Sequence, residues 1–89
     1  MPIISMFYGI VVMMYFDDCR KHRKPHLHVE YQDQQAVISL PEGKILRGSL
    51  PPAKLKLVAA WIEIHRDAIM ADWSLAARKE PVFKIEPLK

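Results

Sequence analysis

The chain has 89 residues, 51% of them hydrophobic, and its 13 basic and 10 acidic side chains leave a formal net charge of +3. That length holds one small domain, residues 1–89, and excludes a second catalytic one, since a chain this short buries only about 60% of the surface it exposes when unfolded. The lone Cys19 excludes an internal disulfide and fits a reducing, cytoplasmic setting, while the modest net charge shifts attention to the local basic cluster Arg20, Lys21, Arg23 and Lys24.

In chain order, Ile3, Ile4, Met6 and Phe7 lead into Tyr8-Gly9, a dipeptide able to turn the chain into residues 10–16. That run is rich in β-branched and aromatic side chains, so a hairpin is predicted. It follows no basic segment, ends at Asp17-Asp18 and falls far short of the roughly 20 apolar residues of a membrane helix, so neither a signal peptide nor an anchor is expected. Alternation sets Ile10, Val12, Met14 and Phe16 on one face and Val11, Met13 and Tyr15 on the other. Both faces are apolar and one helix covers one face only. The second face therefore calls for the C-terminal tail, for curling of the sheet, or for another subunit, and a homo-oligomer or small protein partner is the favoured expectation.

After the charged loop 17–24, residues 26–31 alternate strictly, with His26, His28 and Glu30 opposite Leu27, Val29 and Tyr31. A polar turn leads to residues 35–40, where Ala36, Ile38 and Leu40 share a face, and Pro41-Glu42-Gly43-Lys44 turns again into a short strand at 45–47. Pro51-Pro52 suits a helix start, and Leu55, Val58, Ile62, Ile69 and Trp73 recur at helical spacing. A helix from Pro52 to about Trp73 would be roughly 33 Å long, enough to cross the whole sheet. Residues 82–85 alternate once more and predict a short edge strand stopped by Pro87. The expected fold is α+β: an antiparallel meander of four to five strands packed against one long C-terminal helix, with that edge strand added.

Chemistry concentrates at His22-Arg23-Lys24-Pro25-His26-Leu27-His28. Imidazole exchanges protons or binds metal near neutral pH, and the surrounding cations attract phosphate or carboxylate. Three arrangements follow. His26 and His28, at i and i+2 of one strand face, can chelate a divalent transition metal with His22, and Cys19 or Glu30 as fourth ligand, although four neighbouring cations oppose it. The same histidines can act as acid and base in phosphodiester cleavage, with Arg20, Arg23 or Lys24 holding the phosphate. Or the segment, Lys21 included, is a patch that binds nucleic acid or an acidic protein without cutting it. The plainest alternative makes the histidines ordinary sheet residues beside a solvated loop. His65 falls on the core stripe of the helix and reads as a histidine bonded to a carbonyl, too far round the sheet to join His26 and His28.

Phe7-Tyr8-Gly9-Ile10, Tyr15-Phe16-Asp17-Asp18, Pro25-His26-Leu27-His28-Val29, Trp61-Ile62-Glu63-Ile64-His65-Arg66, Trp73 and Ile85-Glu86-Pro87-Leu88 together resemble the small bacterial proteins grouped as domain of unknown function 4160. The likeness spans nearly the whole chain, and all four histidines occupy the family's histidine positions. It implies a stand-alone bacterial protein, often encoded beside another small uncharacterised domain in pairs reminiscent of toxin–antitoxin modules, and it implies no activity. The chain departs from the commoner pattern, a short acidic-His loop before Pro-Pro-His-Phe-His, in its longer basic loop 19–24 and in Lys24-Pro25.

Two classes of function follow. One is an interaction module, half of a toxin–antitoxin-like pair, that binds a protein through the apolar second face and nucleic acid through the basic loop. The other is a small hydrolase, ribonuclease or metal-binding protein centred on His22, His26 and His28.

Overall fold

The computed structural model describes residues 3–14, 25–40 and 42–88. Tyr15, Phe16, Cys19, Arg20, Lys21, His22, Arg23 and Lys24 lie outside them. The strands are β1 (Ile3–Phe7), β2 (Ile10–Met13), β3 (His26–Tyr31), β4 (Gln34–Ser39) and β5 (Ile45–Gly48), followed by the helices α1 (Pro52–Ile64) and α2 (Arg66–Ala77). All neighbouring strands pair antiparallel in the order β1-β2-β3-β4-β5, the meander that the sequence predicts.

The first hairpin closes at Tyr8-Gly9, both with positive φ (51° and 79°). Two left-handed central residues make the turn whose twist matches that of the flanking strands. Leu27 and Val29 face the helical layer with Ile10, Val12 and Ile38, all 1% exposed or less, and Tyr31 packs partly against them. From the helices, Val58, Trp61, Ile62 and Ile69 complete this core, and Trp61 stacks at 5.5 Å on Phe7.

Both edge strands carry a β-bulge. Ile3 pairs with Met13 but Ser5 with Val12, so Ile4 is the extra residue of β1; Arg47 pairs with Val37 but Ile45 with Ile38, so Leu46 is the extra residue of β5. A bulge shifts alternation by one, so residues two apart no longer share a face. Met6 thereby leaves the core side that buried Ile4 occupies, and Arg47 leaves the side of Ile45.

The helix differs from expectation. It runs to Ala77 but breaks at His65, whose φ of −110° and ψ of 26° fall outside the helical basin. A straight helix over residues 52–77 would be about 38 Å long, whereas the described residues span 33 × 25 × 22 Å. The bend keeps both halves on the core, and the ladder holds across it, with the His65 N–H donating to Trp61 O at 3.0 Å and Ile69 N–H to His65 O at 2.9 Å.

The predicted C-terminal edge strand is likewise not assigned as a strand. The tail is extended, and three hydrogen bonds hold it to three elements: Ile85 N–H to Ile4 O of β1 at 2.7 Å, Trp61 Nε1–H of α1 to Glu86 O at 2.8 Å, and Phe83 N–H to Asp72 Oδ1 of α2 at 3.1 Å. Among the described residues no helix is long and apolar enough to cross a membrane.

Candidate functional site

Register fixes which side chains share the second face, away from the core. Met6, Val11, Glu30 and Gln35 form one row across β1 to β4; Ile3, Met13, His28, Val37 and Arg47 form the next across all five strands; His26 and Ser39 begin a third. Part of this face is a groove of about 290 Å³ lined by Met13, His28, Glu30, Gln35, Val37 and Arg47, together with Val29, Ala36 and Gly48. Two strand spacings and two residues separate Glu30 from Arg47, about 12 Å between Cα atoms. At the β1 edge Met6 is 61% and Ile3 40% exposed. This face is thus part apolar, part charged.

The histidines take unequal positions. His26 is only 2% exposed. Its ring lies 5.4 Å from that of His28 and 5.0 Å from Trp73, both edge to face. Register keeps His26 on the same face as His28, yet at the strand's first residue that face is not clear of the helical layer: with the helix bent at His65, α2 brings Trp73 to this end of the sheet. His28, two residues on, is half-buried and reaches the groove. His65 is half-buried at the helix junction, its ring 6.0 Å from Trp61, and sits apart from the other two. Among the described residues no three His, Cys, Asp or Glu side chains gather as a metal site. His22 and Cys19, the other proposed ligands, lie outside those residues, as does the basic cluster Arg20, Lys21, Arg23 and Lys24.

The sequence did not single out Arg47 or Asp72. Arg47 reaches the groove only because of the bulge at Leu46, which simple alternation hides. Asp72 is 2% exposed, held by the returning tail; its Oδ1 accepts from Phe83 N–H, and its Oδ2 has no hydrogen-bond partner among the described residues. Burial pushes this carboxyl above its ordinary range, and the bond from Phe83 offsets only part of that. On the wet side of the helix Glu63 pairs with Arg66, and that bond and charge hold the Glu63 carboxyl below the usual range.

No match is found among curated proteins or among solved structures. A family profile described as "Domain of unknown function (DUF4160)" matches residues 9–74, which include β2 to β5, both groove charges and most of the helical layer. The chain therefore belongs to the family of domain of unknown function 4160.

Proposed function

We propose that this chain is a non-catalytic interaction module that docks a protein partner on the second face of its sheet, with the basic loop as a surface for nucleic acid, in the manner of one half of a toxin–antitoxin-like pair. The observation that carries this reading is the exposure of Ile3 and Met6 beside the charged groove, on the side of the sheet opposite the core. Apolar side chains in one patch with a polar rim are the composition of a protein interface. Lys and Arg in the loop add the sequence-independent attraction that phosphate backbones require.

The second reading, a histidine-dependent hydrolase, draws support from the contact of His26 with His28. Burial weighs against it. A general acid or base must come within hydrogen-bond reach of its substrate, and His26 is 2% exposed against Trp73.

The test purifies tagged wild type, Met6→Glu and His26→Ala from the host cell and assays each for RNA cleavage. Wild type and His26→Ala should retain a common protein partner that Met6→Glu loses while keeping its fold. Equal recovery by Met6→Glu, or cleavage that His26→Ala abolishes, would overturn the interaction reading in favour of the enzyme.

A further inference from the structure

Glu30 and Arg47 line one groove, carry opposite charge, and do not pair: among the described residues neither side chain makes an ion pair or a side-chain hydrogen bond. Both side chains are long and their Cα atoms are about 12 Å apart, so the sheet holds an anion and a cation at a fixed separation with no countercharge paired to either among the described residues. A partner of one sign would answer one of these charges and leave the other desolvated without compensation, which is costly. A partner bearing the same two charges in reverse order answers both.

We propose that this partner is a second copy of the chain, docked face to face so that Glu30 of each copy meets Arg47 of the other. In a two-fold interface a contact made once is made twice. Glu30 on β3 and Arg47 on β5 flank β4, so an axis over β4 between Gln35 and Val37 exchanges them, and half-buried Val37 lies near the centre of the contact. Five strands about 4.8 Å apart and some five residues long give a face of roughly 24 by 17 Å, about 800 Å² over both copies, which is the size of a weak, transient interface. A dimer of that size is concentration-dependent. This inference rests on the reading of the second face as a docking surface and names its occupant.

Sedimentation velocity on the full chain, from about 5 to about 500 µM, covers the range expected of a small interface. Wild type should pass from one chain to two across it. Glu30→Arg and Arg47→Glu, each of which sets like charges against each other twice, should move the midpoint at least about tenfold higher. The double variant Glu30→Arg with Arg47→Glu restores both pairs and should return it to the wild-type value. Circular dichroism of each variant reports the fold, and Glu30→Gln and Arg47→Gln, which remove charge without adding repulsion, should weaken the dimer less than the reversals. A wild type that stays monomeric at the highest concentration, single reversals that dimerise like wild type, or a double variant that stays as weak as the singles would each overturn the proposal. Monomeric wild type that still recovers a partner through Met6 overturns the dimer and leaves the docking reading standing; if that recovery fails too, both fall.

Discussion

Gly48 sits beside Arg47 with a φ of +80°, and a Cβ added there would stand 2.1 Å from the Gln35 carbonyl oxygen. Both the backbone basin and the space demand glycine, so Gly48→Ala should destabilise by about 2 kcal/mol or more. Gly43 has a similar φ of +76°, but its nearest neighbours stand 3.7 Å away, so Gly43→Ala should cost only about 1 kcal/mol. Urea unfolding of both variants checks the order. Asp72 makes a pH-dependent contribution of definite sign. Its folded carboxyl has a raised pKa, so the folded state holds the proton more tightly than the unfolded one. The stability it lends is complete below the ordinary carboxylate value, about 4, and is lost as pH rises through the raised one. Asp72→Asn keeps an acceptor for Phe83 and cannot titrate. Its melting temperature, compared between about pH 4 and pH 8, should therefore fall less with pH than that of wild type. An equal fall would assign the dependence to other groups. Asp72 was not legible in the sequence because its burial comes from a tail that returns over α2 some ten residues later.

At the scale of elements, alternation gave the interior strands correctly. Leu27, Val29 and Ile38 turn inward while His28, Glu30 and Val37 turn outward, because a strand paired on both sides has no freedom to slip. The edges escaped it. An extra residue in β1 and another in β5 invert the pattern locally and deliver Met6 and Arg47 to the second face, the use for which bulges at sheet edges are suited. The helix break escaped too, since the apolar period continues smoothly from Ile62 to Ile69 and only the limited length of the fold demands the bend. Leu46, 54% exposed in the β5 bulge, tests the register: Leu46→Ser should change stability by less than about 0.5 kcal/mol, and deleting Leu46, which leaves Arg47 next to Ile45 and still opposite Val37 on the second face, should cost no more than about 1 kcal/mol. Thermal melts of the two variants decide it. A loss of several kcal/mol in the deletion variant alone would mean that Leu46 is not the extra residue of β5. Truncation after Pro81 should in turn expose Trp61, which is fully buried with its Nε1–H on Glu86 O, and red-shift tryptophan emission.

For the molecule as a whole, a five-stranded sheet commits one face to the core and carries the groove of His28, Glu30 and Arg47 on the other. The family and the fold class were readable from motifs and periodicity. The composition of the second face was only half readable: Val11 and Met13 announced an apolar surface, but the groove that joins His28, Glu30 and Arg47 exists only once register is set. Of the histidine cluster prominent in the sequence, His22 lies outside the described residues, His26 is buried and His28 lines the groove. A native mass spectrum of untagged protein, purified without chelator and recorded beside Met6→Glu, tests that account most directly. Wild type should fly as a dimer or as a complex with another protein, and Met6→Glu should fly as a single chain. A monomeric wild type carrying a metal-sized adduct that disappears in His26→Ala would contradict it and return the histidines to the centre of the function.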